Sequence, residues 1–186
     1  MTYPIYVYGM PVLRKRAVDI NKNDEGLHQL IDDMYETLYQ ADGIGLAAPQ
    51  IGKSVRLIVV DGTTIESENN TDLKDFKKVF INPYIIEEEG DEWEFNEGCL
   101  SLPNIREDVR RKSRIRLQYY DKDFNFYDEY LDGLRARVLQ HEVDHLNGIL
   151  FTDRLQPLKK RLINGKLRDI SKGEAEVDYE IIFPKK

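Results

Sequence analysis

The sequence contains one cysteine, Cys99, in 186 residues. An internal disulfide is therefore excluded, which is typical of a protein from a reducing compartment. Long apolar runs are also missing, since none approaches the roughly 18 residues that span a bilayer. The first residues lack the basic and apolar regions of a signal peptide. We therefore expect a cytoplasmic protein that does not enter a membrane.

Positive charge is scarce as well. The 27 Lys and Arg residues are outnumbered by 34 Asp and Glu, for a net charge of −7, which argues against a general or sequence-specific nucleic-acid binder. The exception is the part of the chain after residue 153, which has these basic residues: Arg154, Lys159, Lys160, Arg161, Lys166, Arg168 and Lys172. Such a run is usually a solvated surface, and an interaction face is the alternative.

The same C-terminal part also carries apolar residues at helical spacing. They predict a helix that packs by its apolar side and ends before residues 164–165, an Asn-Gly pair. These residues are Leu155, Leu158, Leu162 and Ile163.

Histidine is rare, and two of the three histidines lie in the pentapeptide HEVDH at 141–145. Two imidazoles four residues apart on a helix point the same way and can bind one metal ion. Glu142 lies one step around the helix, near the metal without having to bind it, where a general base belongs. The alternative is a pair of hydrogen-bonded core histidines. The joint spacing favours a metal hydrolase.

Hydrophobic residues make up 41% of the chain, enough for one well-buried core, and we expect a single domain over 1–186. Periodicity and turn residues predict helices over 24–41 and 132–148, and strands over 55–60, 79–86, 114–120 and 126–131. The last two strands should form a hairpin that turns at 121–123, and the polar stretch 63–78 should be a surface loop. These elements predict an α+β fold, with mainly antiparallel sheets packed around the metal-binding helix.

A catalytic metal of this kind usually has three protein ligands and one open position. A metzincin would place a third histidine where this chain has Phe151, so that family is disfavoured. A thermolysin-like peptidase would use a downstream carboxylate, and the candidates are Asp153, Asp169, Glu174 and Glu176. Cys99 is the other candidate, although a lone cysteine is most often a small buried hydrophobic residue. The residues alone leave both options open.

A third segment, GIGLAAPQ at 43–50, is small, apolar and rich in glycine, and it ends in an amide side chain. Such a loop can line a substrate cleft at close backbone range. A tight helix-to-strand connection is the equally simple alternative.

Three motifs in order, GIGLAAPQ at 43–50, EGCLS at 97–101 and QHEVDH at 140–145, resemble those of peptide deformylase. The resemblance covers most of residues 4–153, and the extension from about 154 is the least diagnostic part. It implies a metal-dependent hydrolase that removes the N-formyl group from the N-terminal formylmethionine of newly made polypeptides and releases formate.

The resemblance also implies a role for individual residues. Cys99, His141 and His145 would bind the metal, with Fe²⁺ expected and Zn²⁺, Ni²⁺ or Co²⁺ as substitutes. Glu142 would carry the proton, and oxyanion donors would be the side chain of Gln50 and the backbone N–H of Leu100. The expected substrate contacts are Ile44, Gly45 and Gly98 to the peptide backbone, Val138 in the methionine pocket and Arg106 near its mouth. Arg137 stands where the resemblance leads us to expect a more apolar residue.

Two other functions compete with deformylation. One is a zinc endopeptidase that uses the two histidines and a downstream carboxylate, and the other is a metal-stabilised binding protein without enzymatic activity. Because formylated chains emerge from ribosomes, the basic C-terminal stretch is also a candidate for docking on the ribosome.

Overall fold

The computed structural model describes residues 1–63 and 72–185. Its helices are α1 (Leu27–Gln40), α2 (Gly133–Leu146) and α3 (Pro157–Ile170). Its strands are β1 (Ile5–Tyr6), β2 (Gly45–Ala47), β3 (Leu57–Asp61), β4 (Lys77–Cys99), β5 (Leu102–Tyr120), β6 (Phe126–Asp132) and β7 (Ile181–Ile182). None of the described helices is long and apolar enough to cross a membrane.

Five strands form one antiparallel sheet in the order β2-β3-β4-β5-β6. Helix α2 packs on this sheet, and its Leu139, Val143 and Leu146 share a buried cluster with Ile58 and Leu117 from the strands. The predicted α+β class, with mainly antiparallel sheet around the helix that bears the histidines, is confirmed.

Strands β4 and β5 are much longer than the predicted strands 79–86 and 114–120. Many of the added residues are charged and few are apolar, so the apolar alternation that indicates a strand in a sequence is weak there. The two strands pair through opposite charges across the ladder, such as Arg114 with Glu89 at 3.2 Å and Arg110 with Glu94 at 3.4 Å. The two strands therefore form one long hairpin that ends at Cys99, and the chain turns there into β5.

Helix α2 ends as predicted. Asn147 caps its C-terminus, and Gly148 has φ +74°, the left-handed conformation that favours glycine. Asp132 is the N-cap residue, but its side chain makes no capping hydrogen bond. The predicted hairpin turn between β5 and β6 is also present, with Asp121 accepting hydrogen bonds from the amides of Asp123 and Asn125.

Helix α3 differs from the prediction in two ways. It continues through 164–165 to Ile170, because Ile163, Leu167 and Ile170 form a buried stripe that outweighs the roughly 1 kcal/mol helix cost of a glycine. Leu158 and Leu162, expected on the packed side, are 68% and 75% exposed. The exposed side of α3 is therefore both apolar and basic.

The predicted surface loop 63–78 lies partly outside the described residues. Where it is described, the prediction is wrong at Leu73 and Phe76, which are buried in the core cluster under the sheet. Residues 77–78 already belong to β4. Two apolar side chains in a polar stretch were too sparse a pattern to indicate burial from sequence.

After α3 the chain returns to the N-terminal region. Strand β7 pairs in parallel with β1, and the amides of Ile5 and Val7 donate to the carbonyls of Glu180 and Ile182 at 2.8 and 2.9 Å. Further back, the side-chain amide of Asn104 donates to the carbonyl of Glu176 at 3.1 Å. The segment between α3 and β7 is thus held against the start of β5, just after the Cys99 turn.

Candidate active site

Three side chains of the types that bind metals meet where the β4–β5 hairpin ends against α2. One donor atom each from Cys99, His141 and His145 lie within 4.8 Å of one another. The two histidines lie one turn apart on α2, with ring centroids 5.1 Å apart, and Cys99 is the last residue of β4. Sequence reasoning named all three, and the fold brings them together.

The two imidazoles differ in how they are held. His141 donates from Nδ1 to Glu97 Oε2 at 2.9 Å, which orients the ring and leaves its other nitrogen available as a ligand. His145 Nε2 lies 3.3 Å from Cys99 Sγ, and His145 Nδ1 has no hydrogen-bond partner within the described chain. Only the His141 ring is therefore oriented from behind by a carboxylate, the usual arrangement for a histidine ligand.

Glu97 is the centre of a buried ion network. It accepts two hydrogen bonds from Arg111, at 2.7 and 3.0 Å, and one from Arg137 at 2.9 Å. Arg111 also donates to Asp144 at 2.7 Å, and Arg154 makes two 2.6 Å hydrogen bonds to the same carboxylate. Burial would raise the pKa of Glu97, but the hydrogen bonds from His141 and Arg111 outweigh it and hold the pKa well below its usual range.

Glu142 is buried without such partners. Its Oε2 has no hydrogen-bond partner among residues 1–63 and 72–185, and burial raises the pKa of this carboxyl to about 7. The carboxylate lies against Gly45 of β2, where a Cβ would be only 2.6 Å from Glu142 Oε1. Glycine at position 45 therefore provides the space for the Glu142 side chain.

Gln50 is oriented by the backbone of its own loop. It lies in the short 3-10 helix Ala48–Ile51, and its Oε1 accepts from the Ala47 amide at 2.9 Å. Its Nε2 therefore points at the Cys99 turn, 3.6 Å from Cys99 Sγ and 3.3 Å from Ser101 Oγ. An amide donor is thus aimed beside the ligand cluster.

The ligand cluster opens into a cleft of about 550 Å³. All five predicted substrate contacts line it, namely Ile44, Gly45, Gly98, Arg106 and Val138, and so does Leu100. Arg106 is held by Asn96, donating to its side-chain and backbone oxygens at 2.9 and 2.8 Å. A C-terminal wall that sequence reasoning missed completes the cleft, consisting of Glu176, Val177, Asp178 and Tyr179.

Arg137, which stands where an apolar residue was expected, is buried and engaged in contacts within the protein. It is 2% exposed and bonds Glu97, the Val109 carbonyl at 2.9 Å and the Trp93 carbonyl at 2.7 Å. Its guanidinium also stacks over the Trp93 ring at 4.5 Å. The arginine thus lines the cleft as part of the buried ion network and is not a solvated charge on its outer rim.

Sequence reasoning also missed the ion network itself. Glu97 stood inside the EGCLS motif and could have been noticed as a carboxylate two residues from a ligand. Arg111 and Asp144 carried no signal, because charged residues are common in such strands and helices and only the fold shows that these are buried.

A family model for polypeptide deformylases matches residues 2–161. Peptide deformylase from Christiangramia forsetii is 50% identical over 99% of this chain and 97% of the relative. The Flavobacterium johnsoniae peptide deformylase is 48% identical over 98% and 96%. The crystal structure of peptide deformylase from Thermotoga maritima is 43% identical, with a TM-score of 0.75 over 84% of this chain and 99% of that one. The chain belongs to the peptide deformylase family.

Proposed function

We propose that this cleft hydrolyses the N-formyl group of N-terminal formylmethionine in new polypeptides, with each residue in a distinct role. The observation that carries the proposal is the pairing of a Cys-His-His donor set with Glu142, a buried carboxylate whose Oε2 lacks a partner within the described chain. Formate and a free amine are the products.

The donor set fits one divalent ion bound by Cys99, His141 and His145. One thiolate and two imidazoles suit Fe²⁺, which we expect in the cell, and they also accept Zn²⁺, Ni²⁺ or Co²⁺. Such an ion supplies Lewis-acid activation of water and of the formyl carbonyl. Cys99→Ser replaces a soft ligand with a hard one and should weaken metal retention, measured as metal content after dialysis. Unchanged metal content would contradict the ligand role.

Glu142 is the proposed proton carrier. It accepts the proton of the attacking water and returns it to the amine, because an amine leaves readily only when protonated. Its side chain has a free oxygen and a pKa raised by burial to about 7, which allows both transfers near neutral pH.

Gln50 and Leu100 are the proposed donors to the oxyanion. The side-chain amide of Gln50 is already directed at the Cys99 turn by the Ala47 contact, so no reorganisation is needed during reaction. A preorganised donor of this kind is worth roughly 3 kcal/mol in the transition state.

The remaining cleft residues are the proposed substrate contacts. Ile44, Gly45 and Gly98 offer backbone groups at close range, and Val138 borders the methionine pocket. The cleft mouth carries Arg106. These contacts select the bound geometry and do not take part in the chemical step.

Neither alternative function is favoured. A thermolysin-like endopeptidase needs a downstream carboxylate beside the histidines, and the cluster found among the described residues has Cys99 in that place. A binding protein with a structural metal would need a fourth protein ligand, and the cluster found among the described residues has three, Cys99, His141 and His145.

Formate release from a formyl-methionyl tripeptide tests the function. The protein is purified without oxygen and loaded with iron or nickel, and the Glu142→Ala variant serves as the control. Metal-dependent release that the variant lacks is expected. If folded, metal-loaded protein releases no formate, the proposed function is wrong; if the variant keeps full activity, only the role of Glu142 is wrong.

We also propose that the exposed side of α3 docks on the ribosome, in the cytoplasm where formylated chains emerge. Leu158 and Leu162 are exposed there among basic residues, of which Lys160 and Lys166 are exposed. RNA phosphates would attract such a face. Salt-dependent co-sedimentation with ribosomes is the measurement.

Charge reversal tests docking better than deletion of the residues after 153, because that deletion would also remove the C-terminal wall of the cleft. Lys160→Glu combined with Lys166→Glu should weaken co-sedimentation at least tenfold while hydrolysis of free formyl peptide stays unchanged. Asp24→Lys, a charge change in an exposed turn far along the chain, is the control. Undiminished co-sedimentation of the double variant would reject docking through α3.

A further inference from the structure

The C-terminal segment reaches the catalytic cleft through one specific contact. The Tyr179 hydroxyl donates to the Leu100 carbonyl at 2.9 Å, and Leu100 provides the backbone N–H proposed above as an oxyanion donor. We propose that Tyr179 is a positioning residue for the deformylase reaction, holding the Leu100 residue so that its N–H is preorganised. The proposal rests on the oxyanion role of Leu100 given under the proposed function.

Tyr179 is well fixed itself. Asn104 holds the Glu176 carbonyl three residues before it, and the Ile5 amide holds the Glu180 carbonyl directly after it at 2.8 Å. Its ring packs, together with Leu100, against a buried cluster that includes Leu38. The Tyr179 hydroxyl therefore belongs to a segment that is anchored on both sides of the tyrosine.

The contact removes the remaining freedom of the turn. The Ser101 carbonyl accepts from the Tyr8 amide at 2.9 Å, and Ser101 Oγ accepts from Gln50 at 3.3 Å. Each residue has only two soft backbone dihedrals. A hydrogen bond that fixes the Leu100 carbonyl therefore also restricts the direction in which the Leu100 N–H can point. The two proposed oxyanion donors are thus attached to the same turn, with Tyr179 holding one side and Gln50 the other.

The hydroxyl stays a donor under physiological conditions. Burial and the nearby Cys99 raise the pKa of Tyr179 to about 12, so the group remains protonated. The family model ends at residue 161, so this contribution comes from a part of the chain beyond the matched region. The catalytic unit, on this proposal, includes the C-terminal segment.

Tyr179→Phe tests the proposal because it removes the hydroxyl and keeps the packed ring. An oxyanion donor acts in the transition state and hardly in the ground state. We therefore expect kcat to fall about tenfold, less than the 10²–10³ that follows loss of a whole donor, with KM within twofold and metal content unchanged. Tyr35→Phe is the matched control, since the Tyr35 hydroxyl also contacts a backbone carbonyl, that of Val60 at 3.5 Å, and Tyr35 does not line the cleft.

A second readout separates positioning from simple support of the fold. In zinc-loaded protein, the Leu100 amide resonance should shift and its hydrogen exchange should accelerate at least tenfold in Tyr179→Phe and not in Tyr35→Phe. This readout needs no turnover, so it tests the contact even if the proposed reaction is wrong.

Several outcomes would overturn the proposal. An unchanged kcat, a rise in KM alone, or an equal loss in Tyr35→Phe would each deny a positioning role in the transition state. Loss of metal from Tyr179→Phe would mean that the residue acts through Cys99 instead of Leu100. If the resonance and the exchange rate of the Leu100 amide are unchanged in Tyr179→Phe, the Tyr179 hydroxyl does not constrain the turn.

Discussion

Glu97 on β4 and Glu142 on α2 are two buried carboxylates that line the same cleft, and their surroundings differ completely. Glu97 accepts hydrogen bonds from Arg111, Arg137 and His141. Glu142 faces the cleft, and its Oε2 finds no partner within the described chain. The pKa of Glu97 is held well below its usual range, and that of Glu142 is raised to about 7.

The contrast shows how one side-chain type serves two purposes. A buried carboxylate surrounded by donors stays charged and orients its neighbours, whereas one without donors exchanges a proton easily near neutral pH. The partners, and not burial itself, decide which of the two results. The same isosteric substitution in each region should therefore have opposite consequences.

Glu142→Gln should have the largest effect on catalysis. Loss of the proton carrier should lower kcat by about 10²–10⁴, while metal content stays unchanged and the free energy of unfolding stays equal or rises, because a neutral amide is easier to bury than a carboxylate. Single-turnover formate release and thermal unfolding measure the two parts. A variant with wild-type kcat would show that Glu142 does not carry the proton and would remove its functional difference from Glu97.

Gln50→Ala tests the proposed catalytic residues of the cleft without changing an ionisable side chain. We expect kcat to fall by roughly 10²–10³ with little change in KM, since an oxyanion donor acts in the transition state. Steady-state kinetics with formyl-methionyl peptides is the measurement. A change confined to KM would assign Gln50 to ground-state binding instead.

Glu97→Gln should act on stability and metal binding. It removes the negative charge that faces the guanidiniums of Arg111 and Arg137. Breaking a buried ion pair in this way lowers the free energy of unfolding by about 3–5 kcal/mol. Loss of the charged acceptor for His141 should weaken metal affinity about 10–100-fold. Chemical unfolding of the metal-free protein and competition with a chelator separate the two effects. If the variant keeps wild-type stability, the network does not support the fold.

Asp61→Asn tests another buried, well-partnered carboxylate, which does not belong to the cluster of Cys99, His141 and His145. Burial alone would raise the pKa of Asp61, but hydrogen bonds from Thr63, Tyr39 and Lys77 outweigh it and lower the pKa to about 2. Relative to the ordinary value of 3.8, this shift stabilises the folded protein by about 2 kcal/mol at neutral pH.

The sign of the pH dependence follows from the lowered pKa. The stabilisation is present above pH 4 and is lost as the pH falls towards 2. The difference in unfolding free energy between wild type and Asp61→Asn should therefore be about 2 kcal/mol at pH 7 and about half of that at pH 3. Urea unfolding at both pH values is the check, and a difference that is constant or grows at low pH would contradict the assignment.

The structure also shows which predictions were accessible from sequence. The course of α2, the hairpin turn at 121–123 and the α+β class were predicted because they depend on local periodicity and turn chemistry. The long charged strands β4 and β5 were underestimated, and α3 was ended too early, because cross-strand charge pairing and burial of Ile163, Leu167 and Ile170 are tertiary effects.

Local sequence patterns indicate which chemistry is available. Two histidines at helical spacing with Glu142 between them favour a metal hydrolase, because residues four apart on a helix face the same way. The tertiary structure was needed for the rest, namely that Cys99 meets the histidines from the end of β4, that five charged side chains cluster beside them, and that Tyr179 reaches Leu100 from far along the chain. Contacts between segments distant in sequence leave no periodic or local trace, since they arise from how the elements pack.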